Sequence, residues 1–435
     1  MSNDKSESAL PHVLPPSPKR IIRWSMKVAS LGLALVLLTT GFCCAAQPTT
    51  AVKDDGLRAR LDTAIDSAIT SNRIVGAVVV VLQDGKVVYQ RAAGLADREA
   101  GMPMRGNTIF RLASVSKPIV TVAVLRLVDE GRLRLEDPVT RYLPEFQPKL
   151  ADGSTPVITI QQLLTHTAGL SYNFLEPVDG PYHRAGVSDG LAELGLSMPE
   201  EMRRITAAGL AYAPGTNWGY SVAIDVLGAV IERVTSQSLP DAVNALVTKP
   251  IGMIDTGFAP PDRRRLAIPY VDGTPPERMG DPCLVPFAGL PGIYFSPGRT
   301  FDPRSFPSGG AGMNGTAKDV ARLLEVVRSG GGKILKPATA HSMLINQTGS
   351  LPIIFGPGWG FAFGGALLTD PKAAKTPQSP GTWSWGGAWG HSWFVDPERR
   401  LVVVALTNTA VEGMSGKFTT DVRDAVYGKK SDESK

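Results

Sequence analysis

The sequence predicts an α/β fold of the α+β kind: a mainly antiparallel sheet flanked by helices, with a mostly helical region inserted into it. Three observations lead there. Strand patterns rich in β-branched residues stand near the beginning and near the end of the 435-residue chain. The stretch between them is rich in Pro and Gly and carries short helical patterns instead. Helical patterns border the strand groups, and an amphipathic helix can cover one face of a sheet. The expected division is 47–137 with 315–435 as the sheet region, 138–314 as the mostly helical insertion, and 1–46 as a leader.

The elements follow in order. From Asp54 to Ser71, residues Leu57, Leu61, Ala64, Ile65, Ala68 and Ile69 fall on one helical face. Ile74–Leu82 and Lys86–Ala93 read as strands, and Asp84-Gly85 between them is a hairpin signal. Ser114–Glu130 is again helical, with Val120, Val124, Leu127 and Val128 apolar and Gly131 as its stop. Thr159–Leu164, Ser221–Val234 and Asp241–Leu246 are helical pieces of the insertion. Trp383–Trp389, His391–Val395 and Leu401–Thr407 alternate with turns, one of them at Asp396-Pro397. A helix near Phe418–Tyr427 closes the pattern.

Charge and composition exclude several functions. Hydrophobic residues make up 43% and charged residues 20%, a globular balance. The formal charge of +5 is concentrated at the start: the first 46 residues carry five basic and two acidic groups. The rest carries 40 basic and 38 acidic groups, too even for a nucleic-acid footprint. Lys19, Arg20, Arg23 and Lys27 precede an apolar run, Val28–Phe42, and small residues follow at Ala45 and Ala46. That order is a secretory signal, which implies export to the periplasm or beyond. Met26 would make a more ordinary start for it. The alternative is an uncleaved membrane anchor, because the run approaches the roughly 20 residues of a bilayer span. Removal after Ala46 takes Cys43 and Cys44 with it and leaves Cys283, so no intramolecular disulfide forms. The five histidines are scattered, without zinc spacing. Neither a metal nor an organic cofactor is expected.

Three motifs carry chemistry. In Ser114-Val-Ser-Lys117, helical spacing brings the hydroxyl and the ammonium to one face. A serine becomes a nucleophile when a base takes its proton, and a lysine buried in an apolar first turn can be that base or its relay. A second match, Ser2-Asn-Asp-Lys5, lies in the leader. In Gly219-Tyr220-Ser221-Val222 a tyrosine stands where a loop enters a helix. Next to an ammonium, its phenolate can accept the serine proton. In Trp385-Gly386-Gly387-Ala388, glycines within a strand permit close backbone approach, and a strand edge can offer an N–H to an oxyanion. Five of the seven tryptophans fall between Trp359 and Trp393, which suits an apolar acyl pocket or a filled core. Gly186-Val-Ser188-Asp-Gly190 matches the nucleophile elbow of another hydrolase fold, with His391 as formal partner. That elbow requires a buried strand before the serine, and Asp179–Ala185 is no such strand.

The order of these motifs resembles the serine β-lactamase and penicillin-binding superfamily. Leu163-Leu-Thr-His-Thr-Ala-Gly-Leu170, Pro214-Gly-Thr-Asn-Trp-Gly-Tyr-Ser221 and Gly309-Gly-Ala-Gly-Met313 leading into Thr316–Asp319 extend the likeness from Leu57 to Tyr427. Tyr220-Ser-Val-Ala-Ile-Asp225 and Gly390-His-Ser-Trp-Phe394 are similar to the family VIII carboxylesterases in particular. The resemblance implies a β-lactamase/DD-peptidase-like fold and hydrolysis of short-chain esters through an acyl-serine. It implies Ser114 as nucleophile, Lys117 as its partner and Tyr220 as general base. The N–H groups of Ser114 and Ala388 would form the oxyanion hole, and Trp385, Gly386, Gly387 and Val222 would face the substrate. Relatives acting on β-lactams and peptides carry an asparagine where Val222 stands and a lysine where Trp385 stands, which argues against those substrates here. The alternatives are a β-lactamase or D-Ala-D-Ala peptidase on the same residues, or a catalytically silent sensor. The expected partner is a small ester, and the oligomeric state is not legible.

Overall fold

Both strand groups enter one eight-stranded antiparallel sheet in the computed structural model, which describes residues 56–287 and 289–428. The expected leader, 1–46, lies outside the described residues. The strands are β1 (Gly76–Gln83), β2 (Lys86–Asp97), β3 (Met102–Pro103), β4 (Trp359–Ala362), β5 (Gly365–Leu368), β6 (Trp383–Gly387), β7 (His391–Asp396) and β8 (Leu401–Thr407). Their spatial order is β4-β5-β6-β7-β8-β1-β2-β3. The early and late parts of the chain therefore meet at one seam, β1 against β8, from Ala77 opposite Thr407 to Gln83 opposite Leu401.

The seam explains the sequence of β1. Val78 and Val80 enter the main core, while Ala77, Val79 and Val81 enter a second core on the other face. A strand covered on both faces needs no polar alternation, hence the run Ala-Val-Val-Val-Val. The turn after it has φ of 52° at Asp84 and 74° at Gly85, the two positive values that a tight hairpin of this hand requires.

Helices cover both faces. On one, α1 (Leu57–Thr70) and α5 (Lys417–Tyr427) pack Leu61, Ile65, Phe418 and Val422 onto the sheet. On the other lie α2 (Ser116–Asp129), α3 (Ala223–Thr235) and α4 (Ala317–Arg328), all contributing to the main core. In α2 every residue from Ser116 to Leu125 is buried. It is apolar nearly all round because it runs through the middle of the molecule. Pro118 is accommodated in its first turn, where a backbone N–H has no intrahelical partner. The helix expected from Ser114 starts at Ser116; Ser114 sits in a preceding tight turn, Ala113–Val115.

The middle of the chain is less uniformly helical than its pattern suggests. Beside helices such as Ile160–Leu164, Met198–Ala208 and Leu239–Val243 it contains a β-hairpin, Cys283–Phe287 with Leu290–Phe295. Pro286 and Pro291 interrupt the strand pattern there, as prolines do on edge strands. Thr159 closes a reciprocal cap with Gln162 at the start of its helix, as the Thr-x-x-Gln spacing requires. Among the described residues no helix is long and apolar enough to cross a membrane.

Candidate active site

Ser114 is presented by backbone geometry. Ala113 before it adopts φ 44°, in the left-handed region that a residue with a Cβ rarely visits, at a cost of about 1–3 kcal/mol. The turn buries Ala113 and Val115 and leaves Ser114 partly exposed. Lys117 lies one turn further on and is 1% exposed. Its Nζ donates to Ser114 Oγ at 3.2 Å and to the Gly310 carbonyl at 2.9 Å. The Tyr220 hydroxyl donates to the same Oγ at 2.6 Å. The rings of Tyr220 and Tyr172 stand 4.7 and 5.3 Å from the ammonium, offering it π-faces where water is excluded.

The negative charge nearest in this network is one layer deeper. Asp225, in the first turn of α3, is fully buried. Its Oδ1 accepts from Ser308 Oγ at 2.6 Å and from the Gly310 N–H at 3.1 Å, while its Oδ2 has no hydrogen-bond partner among the described residues. Gly310 thus joins carboxylate and ammonium through one residue. A Cβ there would sit 2.8 Å from Asp225 Oδ2 and 3.4 Å from Lys117 Nζ, so glycine alone fits comfortably. Burial pushes the Asp225 carboxyl above its ordinary range, opposed by the Ser308 hydrogen bond and the Lys117 charge.

Aromatic neighbours hold Tyr220 in place. His166 lies 5.0 Å from its ring and Trp218 stacks at 6.5 Å. The Gly219 N–H donates to the His166 carbonyl at 2.9 Å, fixing the loop before the tyrosine. Burial holds the His166 imidazole well below its usual range, so it stays neutral beside Lys117. On the opposite wall Trp385 Nε1 donates to the Tyr220 hydroxyl at 3.4 Å.

The end of β6 packs directly onto the Ser114 turn. A Cβ on Gly387 would lie 2.4 Å from the Leu112 carbonyl, so this approach requires glycine. It leaves Ala388 beside Ser114 on the wall of a cavity of about 300 Å³. Neither the Ser114 nor the Ala388 N–H donates to another described residue. Tyr172, Phe174, Phe287, Phe355, Trp359 and Trp385 give this cavity an aromatic lining. Of the tryptophan cluster, Trp359, Trp385 and Trp393 line the cavity; Trp393 also packs edge to face at 4.6 Å on the buried Trp383, and Trp389 packs on Phe295.

Ser114, Tyr220, Trp385, Gly386 and Ala388 therefore share the cavity, with Lys117 beneath its floor. Val222 and Gly387 do not line it, contrary to expectation. Val222 is 0% exposed and starts α3 in the apolar core, its N–H donating to the Ser171 carbonyl. Gly387 faces Leu112. The elbow-like Ser188 is 0% exposed and donates to Glu193 Oε2 at 2.5 Å. His391, its formal partner, lies within 2.7 Å of the Arg111 carbonyl through Nε2, and burial lowers its pKa to about 4. The sequence reading missed the roles of Asp225, Gly310 and Tyr172. The Gly309–Gly312 cluster was the available signal, since close packing of glycines marks a backbone that approaches something. Among the described residues no group of His, Cys, Asp and Glu is arranged to hold a metal ion.

The network predicts a specific effect of Asp225→Asn. The amide keeps an acceptor for Ser308 and Gly310 but removes the charge behind Lys117. Hydrogen bonds to charged groups are worth about 1.5–3 kcal/mol, so kcat for ester hydrolysis should fall roughly 10- to 100-fold. KM and the melting temperature should change little. An unchanged kcat would remove Asp225 from the account.

Comparison with known proteins agrees with this geometry. The Beta-lactamase family model matches residues 61–427. Esterase EstB of Burkholderia gladioli is 53% identical over 376 residues, covering 86% of this chain and 96% of that protein. The solved structure of EstCE1, described as a hydrolase with promiscuous acyltransferase activity, superposes with a TM-score of 0.83 at 46% identity, covering 86% of this chain and 99% of its own. Simvastatin synthase LovD from Aspergillus terreus shares the fold, with a TM-score of 0.66 at 22% identity over 86% of this chain and 98% of its own. The chain belongs to the beta-lactamase family of serine hydrolases, on the branch of the family VIII esterases.

Proposed function

We propose that this protein is a carboxylesterase that cleaves short-chain neutral esters through an acyl-enzyme on Ser114. The observation that carries this reading is the convergence of Lys117 Nζ and the Tyr220 hydroxyl on one oxygen, Ser114 Oγ. With Tyr220 as phenolate, stabilised by the Lys117 ammonium, the serine proton passes to the tyrosine oxygen as Oγ attacks the ester carbonyl carbon. The carbonyl oxygen takes up the negative charge and accepts the N–H groups of Ser114 and Ala388. When the intermediate collapses, the ester C–O bond breaks and Tyr220 returns the proton to the departing alcohol. Water then repeats the sequence on the acyl-serine and releases the acid. The names of the relatives, an esterase and a hydrolase, support the reading.

Substrate choice follows from what the wall beside Ser114 lacks. A β-lactam or a peptide brings a carboxylate and an amide, and burying such groups unpaired costs about 1–3 kcal/mol each. Trp385 offers one uncharged N–H, already directed at Tyr220. Val222 is out of reach in the core. A neutral ester needs neither contact, and its acyl chain gains from the aromatic lining. Its alkoxide also leaves more readily than an amine.

We also propose that the chain is exported with loss of the leader near Ala46, on the basic, apolar, small-residue order of the first 46 residues. Mass spectrometry of the mature N-terminus tests this. A membrane-bound product retaining Val28–Phe42 would favour the anchor instead.

The catalytic reading is tested on one preparation with p-nitrophenyl butyrate and nitrocefin. The ester should win in kcat/KM by about 10²-fold or more, from two unmet contacts. A fluorophosphonate probe should label the wild type and Ser188→Ala but not Ser114→Ala. A nitrocefin value equal to the ester value, or labelling that depends on Ser188, would overturn the reading.

A further inference from the structure

The cavity beside Ser114 does not end at its aromatic wall. β6 pairs with β5 only through Trp383 and Ser384, so the β5-side edge from Trp385 onward has no partner strand. Past Gly386 and Met414 the cavity continues as a groove between the sheet and α5. Sheet register fixes what meets there. Ser384 opposes Phe394, and Gly386 opposes Ser392; Ser392 and Phe394 in turn oppose Ala405 and Val403. Directly opposed residues share a face. Ser384 and Ser392 therefore stand on the face that α5 covers, beside the apolar floor made by Phe394 and Val403.

Arg423 of α5 borders the same groove. Its Nε forms an ion pair with the Asp424 carboxylate at 2.8 Å, and its terminal nitrogens make no hydrogen bond with described residues. The hydroxyls of Ser384 and Ser392 are likewise unengaged among the described residues. Nearby charges are already matched: Lys417 pairs with Asp421, and Arg73 with Asp421 and Glu412. The groove thus offers hydroxyl and guanidinium donors at the end of an apolar track that leads back to the nucleophile. The complement of hydroxyl and terminal guanidinium N–H donors is a carboxylate, whose oxygens accept from such groups.

We propose that this groove is a subsite for a carboxylate at the far end of an ester's chain, so that the enzyme takes half-esters of linear dicarboxylic acids. The inference rests on the esterase reading of Ser114 and adds a specificity-determining role for Arg423, Ser384 and Ser392. A carboxylate close to the scissile bond, as in a β-lactam, lies beside Trp385 and gains nothing from it.

The test compares kcat/KM for p-nitrophenyl monoesters of adipic, suberic and sebacic acids with that for the uncharged p-nitrophenyl esters of equal chain length. A second series places the carboxylate on the alcohol side, as acetate esters of ω-hydroxy acids against the matching alkyl acetates. At low salt, at least one chain length in one series should be favoured by the wild type. Arg423→Met should cut that substrate's kcat/KM about tenfold, the size of one charge-assisted contact, and its uncharged partner's by much less. Arg423→Lys should restore part of the loss, Ser384→Ala should weaken the same substrate, and added salt should erode the preference. Equal effects of Arg423→Met on charged and uncharged esters in both series would overturn the subsite while leaving the esterase intact. No turnover of any ester by the wild type would instead defeat the reading of Ser114 itself.

Discussion

Burying an ammonium away from water costs several kcal/mol even after a protein relaxes around it, and Lys117 is almost wholly buried. Much of the architecture near Ser114 can be understood as offsetting that cost without neutralising the charge. A directly paired carboxylate would lock the ammonium away from the serine. Here Nζ donates to a serine hydroxyl and a backbone carbonyl, two tyrosine rings supply π-faces, and the carboxyl group of Asp225 waits behind Gly310. The positive charge is held 4.7 Å from the Tyr220 ring, where the proposed proton transfer needs it. The same layer explains why α2 is apolar nearly all round: only a central helix can keep its first turn this dry.

The sheet supplies the other half of the site. Because β1 and β8 join the early and late parts of the chain at one seam, β6 is carried to the turn that follows Arg111. Gly387 then lets the strand come within contact of Leu112, which brings Ala388 to the cavity. Ala113, strained at positive φ, turns Ser114 toward the same space. The strained φ of Ala113 is tolerated because the packing of α2 and β6 around it leaves no alternative.

Periodicity made the major elements legible. The Asp84-Gly85 turn, the buried run of β1 and the helices around Leu61 and Val124 all follow from patterns of two or about 3.6 residues. The hairpin at Cys283–Phe295 was hidden by its prolines, and β4 and β5 by their length of four residues each. At the site, Ser114, Lys117 and Tyr220 were readable because their chemistry demands those residue types. Val222 was misread for a physical reason. Its spacing from Tyr220 would match a substrate-facing residue, but as the first cap of α3 it turns into the core. Asp225 and Gly310 escaped because their function depends on contact across 85 residues of chain, which no local pattern reports.

The central claim is that Lys117 and Tyr220 act as one unit on Ser114. A double-mutant cycle in kcat/KM for p-nitrophenyl butyrate tests it most directly, with Lys117→Ala, Tyr220→Phe and the double variant purified alongside the wild type. General acid–base catalysis is worth about 10²- to 10⁴-fold, so each single change should cost that much. Partners in one proton-transfer unit are strongly non-additive, and the double variant should be scarcely worse than either single one. Losses that multiply in the double variant would show two independent contributions and contradict the account.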